Sequence, residues 1–177
     1  MKLLLHTCCG ACEIHPLEQL MAKGFEVSGY FYNPNIHPTE EYKKRRQAVQ
    51  DFSASAGIDM IYPEYGQPDF FFAIAGKLTP PLRCRACWAL RLKMTARAAK
   101  ENGFDAFSTT LLVSPYQDQE LLKEIGEIIA KEEGVEFYYE DFRPGFRKAH
   151  NQARGKGLYM QKYCGCIYSQ IERNAKK

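Results

Sequence analysis

The chain has 177 residues, 45% of them hydrophobic and 25% charged, and a formal net charge of +3. This composition supports one domain with a sizeable core, so disulfides are not needed to hold it together. The start of the chain has too few apolar residues for a signal peptide, and no long apolar run follows. We therefore expect a cytoplasmic protein without a membrane segment, with residues 1–177 forming a single α/β domain.

Short apolar runs alternate with amphipathic segments along the chain, which predicts strands alternating with helices. The predicted strands are 2–7, 27–32, 58–62, 106–113 and 135–139. The predicted helices are 14–23, Thr39–Ala56, 69–76, 85–100, 119–132 and Ile167–Asn174. This order indicates a doubly wound parallel sheet with helices on both faces, followed by a basic C-terminal extension.

Two turns follow predicted strands at the edge of the sheet where ligands bind in this architecture. A cysteine-rich turn, 8–12, follows the first strand, and the turn 114–118 follows the fourth. Ligands of open α/β sheets bind beyond the carboxyl ends of the strands, at the point where strand order reverses. We therefore expect the two turns to lie side by side. Tyr116 and Asp118, on the rim of that site, are candidate proton donors.

Seven cysteines fall into three clusters, and none lies outside a cluster. The clusters are Cys8, Cys9 and Cys12; Cys84 and Cys87; and Cys164 and Cys166. Such short spacings let neighbouring thiolates reach one metal, and an odd number of cysteines cannot pair completely. An all-thiolate set favours an iron–sulfur cluster. A zinc site of two C-x-x-C pairs and a metal-free thiol enzyme are the alternatives.

The last cysteine pair has two interpretations of its own. A disulfide between Cys164 and Cys166 would close a very small, strained ring, and strained disulfides are the labile, redox-active ones. The two residues would then shuttle electrons. Alternatively, they bind a second metal or complete the ligand set of the first.

Charge is distributed unevenly along the chain. Residues 143–177 contain nine Lys or Arg and one acidic residue, for a net charge of +8, which leaves −5 for residues 1–142. A basic segment on an acidic body indicates a polyanionic partner, and we expect this segment to pack near the cysteine site. No phosphate-binding glycine motif is present, so ATP chemistry is disfavoured.

Five segments together resemble the cobalamin-independent epoxyqueuosine reductases, in the same order and over nearly the whole chain. They are H-T-C-C-G-A-C at 6–12, R-C-R-A-C-W-A-L-R-L at 83–92, T-L-L-V-S-P-Y-Q at 110–117, D-F-R at 141–143 and Y-M-Q-K-Y-C-G-C at 159–166. Ala11 stands where the family has proline, and all three thiols of that turn are kept.

The resemblance implies a fold of the adenine-nucleotide alpha-hydrolase type and a [4Fe–4S] cluster. It implies that epoxyqueuosine at the wobble position of tRNAs with GUN anticodons is reduced to queuosine, with two electrons, two protons and loss of the epoxide oxygen as water. Neither cobalamin nor ATP is needed, but a low-potential electron donor is. The implied cluster ligands are Cys8, Cys9, Cys84 and Cys87. Cys164 and Cys166 become a redox pair or ligands of an additional iron, and Cys12 serves either centre.

Two other functions remain open from the sequence. One is an iron–sulfur-dependent tRNA sulfurtransferase, which would need ATP to activate its base. The other is a non-catalytic zinc module that binds RNA. ATP turnover distinguishes the first from a reductase, and elemental analysis distinguishes the second.

Overall fold

The computed structural model describes residues 1–175, so Lys176 and Lys177 of the predicted basic segment lie outside the described residues. Five parallel strands form one sheet in the order β3-β2-β1-β4-β5. They are β1 (Lys2–His6), β2 (Glu26–Tyr30), β3 (Met60–Ile61), β4 (Ala106–Thr109) and β5 (Glu136–Phe137). The central strand β1 carries Leu3, Leu4 and Leu5, which have no exposed surface. A continuous apolar run is typical of a parallel strand covered on both faces.

Helices connect and flank the strands, which confirms the predicted doubly wound α/β fold. They are α1 (Gly10–Ala22), α2 (Thr39–Ala56), α3 (Gln67–Ala73), α4 (Leu82–Glu101), α5 (Gln119–Glu133), α6 (Phe146–Gly155) and α7 (Ile167–Asn174). Helix α1 packs against α2 and α6, while α4 packs against α5. The start of α1 approaches α2 so closely that a Cβ on Gly10 would lie 2.7 Å from the carbonyl oxygen of Ala48.

Two segments differ from their sequence-based prediction. The fourth strand ends at Thr109, and 110–113 form a 3₁₀ turn, because the Thr109 hydroxyl accepts a hydrogen bond from the Leu111 amide at 3.1 Å. Helix α6 was not predicted, since glycine and basic residues dominate its sequence. It forms because Ala149 and Ala153, one turn apart, provide a small apolar face that is buried in the core.

Strand order reverses at β1, which places the expected ligand edge between β1 and β4. His6 ends β1 and lies opposite Thr109 at the end of β4. The two side chains meet there, with His6 Nδ1 2.9 Å from Thr109 Oγ1. The residues that follow these two strands therefore emerge next to each other.

Candidate functional site

The end of β1 leads into a buried group of three cysteines, which we call the triad: Cys8, Cys9 and Cys12. Their Sγ atoms all lie within 4.8 Å of one another. Cys9 caps α1, and its Sγ accepts a hydrogen bond from the Cys12 amide at 3.4 Å. The Cys8 amide donates to Thr110 Oγ1 at 3.1 Å, and the Thr110 hydroxyl donates to Cys8 Sγ at 3.3 Å. Residues that follow β4, as well as those that follow β1, therefore hold the triad in place.

One thiol of the triad is favoured as a thiolate. Hydrogen bonds from Cys12 and Cys9 lower the pKa of the Cys8 thiol well below its usual range, while the contacts with Cys8 raise the pKa values of Cys12 and Cys9. One thiolate is therefore stabilised by neighbouring thiols at a helix N-terminus, where the helix dipole also favours negative charge. A metal can replace the shared protons. Three soft sulfur donors with no histidine or carboxylate among them fit a thiolate-bound metal centre.

Cys84 and Cys87 lie in the first turns of α4, which begins at Leu82 rather than at the predicted residue 85. Desolvation raises the pKa of Cys84, and raises that of Cys87 to about 12. Burial therefore outweighs the helix dipole, which favours thiolates at a helix N-terminus. Binding a metal here requires both thiols to lose their protons.

Cys164 and Cys166 lie in a loop between α6 and α7, which we call the C-G-C loop (163–166). Cys166 is buried and belongs to an apolar cluster with Cys87 and Phe70, whereas Cys164 is exposed. The intervening Gly165 has a φ of +140°, a conformation that side-chain-bearing residues rarely adopt. All seven cysteines are free, so the expected redox-active disulfide of this pair is not formed in this structure. Its two thiols have different surroundings.

Side chains from distant parts of the chain hold the C-G-C loop. Arg45, on α2, donates from Nη1 to the Cys164 carbonyl and from Nη2 to the Tyr163 carbonyl, both at 2.9 Å. Its Nε donates to Glu41 Oε1 at 2.8 Å. The His37 amide donates to the Gly165 carbonyl at 2.9 Å. The loop is therefore positioned by a buried arginine rather than by regular secondary structure.

A cavity of about 300 Å³ connects the triad with the C-G-C loop. It is lined by Cys8, Cys12, Arg91, Thr110, Leu111, Ser114, Tyr116, Gln117, Phe146, His150, Gln161, Lys162, Tyr163 and Cys164. The expectation that the turns after β1 and β4 lie side by side is confirmed, since both contribute to this lining. A larger groove between α4 and α5, about 470 Å³, has no cysteine in its lining, so the smaller cavity is the candidate site.

The two candidate proton donors have different positions. Tyr116 lines the cavity and is 84% exposed, with its ring 6.0 Å from that of Phe146. Asp118 caps α5, where its Oδ1 accepts from the Leu121 amide at 3.0 Å, and it is not part of the cavity lining. Tyr116 therefore shares a cavity with cysteines of the triad and of the C-G-C loop, whereas Asp118 ends the turn that carries Tyr116.

Sequence reasoning missed three residues of the site. Arg45 left no signal, because its partners in the C-G-C loop are more than 100 positions away. Arg91 follows Cys87 by one helical turn, and a charge among the buried residues of α4 could have identified it. His150 lies on the unpredicted helix α6, where its ring centroid is 4.0 Å from that of Phe146 at the cavity wall.

Within residues 1–175, no helix is both long enough and apolar enough to cross a membrane.

Two solved structures share the fold at 11% identity. One is a predicted subunit of a tRNA methyltransferase from Methanocaldococcus jannaschii (TM-score 0.58, covering 87% of this chain and 74% of that one). The other is a deacetylase of teicoplanin biosynthesis (TM-score 0.53, covering 88% and 83%). These likenesses show a shared α/β fold alone.

The closer similarities cover almost the whole chain. The family model described as epoxyqueuosine reductase QueH matches residues 3–172. A protein of that name from Dehalococcoides mccartyi is 39% identical over 99% of this chain and 96% of its own length. Another, from Thermotoga maritima, is 34% identical over 98% of this chain and 92% of its own length. The chain therefore belongs to the epoxyqueuosine reductase QueH family of oxidoreductases.

Proposed function

We propose that this chain reduces epoxyqueuosine to queuosine at the wobble position of tRNA, in the cytoplasm, without cobalamin or ATP. The observation that carries the proposal is the cavity that joins the triad to the C-G-C loop. It places two groups of thiols beside one site open to solvent. A reduction by two electrons needs more than one redox centre when each centre passes a single electron, and two thiol groups supply that capacity.

The proposed cofactor is a [4Fe–4S] cluster with Cys8, Cys9, Cys84 and Cys87 as ligands, and Cys12 close enough to Cys8 and Cys9 to join either centre. When bound, the cluster supplies electrons and a Lewis-acidic iron. The proposed roles of Cys164 and Cys166 are a redox pair or ligands of an additional iron. Changing Cys84 or Cys87 to Ala should remove the cluster, as measured by iron and sulfide content after anaerobic purification.

The cavity residues supply orientation and a proton. Tyr116 is proposed to donate a proton to the departing epoxide oxygen, since its hydroxyl belongs to an exposed side chain on the cavity wall. Asp118 is proposed to act through the helix cap that fixes the turn carrying Tyr116. The rings of Phe146 and His150, tilted by 41° to each other, offer aromatic surface for the modified base, because nucleobases stack on aromatic side chains.

The basic segment provides the proposed contact with tRNA. Four cationic side chains of α6 and its C-cap are exposed: Arg147, Lys148, Arg154 and Lys156. The same helix carries the cavity residues Phe146 and His150. We propose that this face binds the phosphates of an anticodon stem-loop with a GUN anticodon, that 143–177 belongs to the same domain as the sheet, and that a separate low-potential protein supplies the electrons.

Mass spectrometry of nucleosides from digested tRNA tests the reaction. Cluster-loaded protein with a low-potential reductant and tRNA containing epoxyqueuosine should produce a nucleoside that has lost one oxygen atom. The reaction should proceed without ATP or cobalamin. Unchanged epoxyqueuosine would contradict the proposal. An absolute need for ATP would favour a sulfurtransferase, and zinc without iron or sulfide would favour a non-catalytic RNA-binding module.

A further inference from the structure

Arg91 is a buried cation without an acidic partner. It stands in the middle of α4 and is 2% exposed. Its guanidinium donates from Nη2 to Asn33 Oδ1 at 2.8 Å and from Nε to His6 Nε2 at 3.3 Å, and its Nη1 lies 4.0 Å from Cys87 Sγ. Neither the amide nor the imidazole carries negative charge. Among residues 1–175, no carboxylate forms an ion pair with Arg91.

Two other arginines are almost completely buried, and each is paired with an acid. Arg83, 3% exposed, forms an ion pair with Glu172 at 2.9 Å. Arg45, 1% exposed, forms an ion pair with the buried carboxylate of Glu41 at 2.8 Å. Glu13 is a further buried acid, but its carboxylate accepts hydrogen bonds from two hydroxyl groups instead of an arginine. The buried carboxylates near the site are thus already engaged. The groups around Arg91 that are able to become anionic are therefore cysteine sulfurs.

Cysteine sulfurs lie near the guanidinium. Cys87 is in contact with it, and Cys8, Cys12 and Cys164 line the same cavity as Arg91. A guanidinium stays protonated in proteins, and an unbalanced buried charge is strongly unfavourable. A thiolate-bound metal centre at these sulfurs would supply the negative charge that balances Arg91.

We propose that Arg91 is a positioning residue that supplies the counter-charge of the thiolate metal centre and raises its reduction potential. The inference rests on the proposed function, because it requires a redox centre held by these cysteines. Each electron added to such a centre adds one negative charge, and a fixed cation nearby stabilises the reduced form by Coulomb attraction. Hydrogen bonds to Asn33 and His6 hold the guanidinium in place beside Cys87.

Anaerobic redox titration of cluster-loaded protein, followed by visible absorbance and electron paramagnetic resonance, tests the proposal. Arg91→Gln removes the charge but keeps hydrogen-bond donors, and Arg91→Lys keeps the charge. The matched control is Arg97→Gln, on the same helix, whose side chain is 50% exposed and paired with Glu133. Iron and sulfide content and far-UV circular dichroism are measured for each variant.

In Arg91→Gln we expect reduction of the centre to become at least tenfold less favourable, a negative shift of about 59 mV for one electron. If Arg91→Gln instead loses the metal while Arg91→Lys retains it, that result also supports the proposal, because the centre then depends on the charge at position 91. Arg91→Lys should restore most of the parent potential, and Arg97→Gln should match the parent. Equal potentials in Arg91→Gln and the parent, or metal loss from both Arg91 variants, would overturn the proposal, since shape rather than charge would then matter.

Failure of this inference differs from failure of the proposed function. A parent protein that reduces epoxyqueuosine, with a potential that does not depend on Arg91, overturns the counter-charge alone. A centre whose potential follows the charge at position 91, in a protein that leaves epoxyqueuosine unchanged, supports the counter-charge and contradicts the function. A centre without any redox transition overturns both.

Discussion

The triad and the C-G-C loop contribute cysteines to one cavity, but the fold positions them by opposite means. The triad lies directly between β1 and α1, is buried, and is tied to the end of β4 through Thr110. The C-G-C loop has no regular structure and depends on Arg45, His37 and other side chains and amides from far along the chain. The comparison teaches that one thiol group is part of the rigid framework, whereas the other is held by contacts that single substitutions can remove.

The largest expected effect separates the two groups of thiols. Cys8→Ser should lower both the bound metal and turnover by more than the roughly 10–100-fold typical of changes around a metal ligand, because Cys8 is central to the triad. Cys164→Ser should stop turnover but leave most of the iron in place. Iron and sulfide analysis beside the nucleoside assay measures both effects.

The contrast between the two variants is the critical result. If Cys164→Ser lost its iron as completely as Cys8→Ser, the C-G-C loop would belong to the ligand set of the main centre. The distinction between the triad and the C-G-C loop would then not apply to metal binding, although it would still describe how the backbone of each is held.

Much of the framework could be predicted from the sequence, because its signals are local. The run Leu3–Leu5 indicates a central strand, and cysteines placed within a few positions of its end must emerge at the ligand edge. The hydrogen bonds from Arg45 to the C-G-C loop could not be predicted. In the sequence, Arg45 cannot be distinguished from a charged residue on a solvent-exposed helix face. Helix α6 was missed because alanine gives only a weak apolar signal.

The second prediction concerns the hydrogen bonds by which Arg45 holds the C-G-C loop. Arg45→Gln should destabilise the protein by about 3–5 kcal/mol, because it leaves the Glu41 carboxylate buried without its partner. It should also lower turnover more than metal content, since both carbonyl contacts to the C-G-C loop are lost. Urea unfolding of anaerobic, cluster-loaded protein gives the free energy of unfolding.

A double variant separates charge burial from loop positioning. Glu41→Gln combined with Arg45→Gln removes the unpaired carboxylate and should recover much of the free energy of unfolding, without recovering turnover. Recovery of both properties would contradict the interpretation that Arg45 positions the C-G-C loop.

The third prediction tests the loop's backbone. Gly165→Ala should cost about 1–3 kcal/mol, because φ is +140° and the new Cβ would lie 3.1–3.3 Å from Asn35, Arg45 and Ile36. We expect turnover to decrease while the triad keeps its metal. Gly157→Ala is the matched control, with a φ of +68° but nothing within 4 Å of the added Cβ. Equal turnover in the two variants would mean that the crowded contacts of Gly165 do not matter for the reaction.

The fourth prediction concerns the proposed tRNA-binding face on α6. Neutralising Arg147, Lys148, Arg154 and Lys156 together should weaken binding to all tRNAs alike and flatten its dependence on salt. If each residue contacts one phosphate, the slope of log K against log salt should decrease in magnitude by about 3–4. Filter binding at several salt concentrations measures this slope. An unchanged slope would show that the exposed face of α6 does not contact the phosphates.

The smallest expected effect is on pH dependence, and it belongs to the loop's support. Burial lowers the pKa of His37, whose ring packs against Phe70 and Phe71 and whose two ring nitrogens have no hydrogen-bond partner. The unfolded chain therefore binds a proton at His37 more readily than the folded chain does. The stabilising contribution is complete above the ordinary histidine pKa of about 6.5 and is lost as pH decreases below it, by at most about 1.4 kcal/mol per pH unit.

Because His37 holds Gly165 through its amide, protonation of its ring should loosen the C-G-C loop before the triad. Alkylation of Cys166, the buried thiol of the loop, should accelerate between pH 6.5 and 5.5, after correction for the thiolate fraction, while the triad cysteines stay protected. His37→Gln should remove most of this pH dependence, because its amide does not titrate. If all seven cysteines became reactive together in the parent, the two regions would open as one unit, and the distinction between framework and dependent loop would not extend to their dynamics.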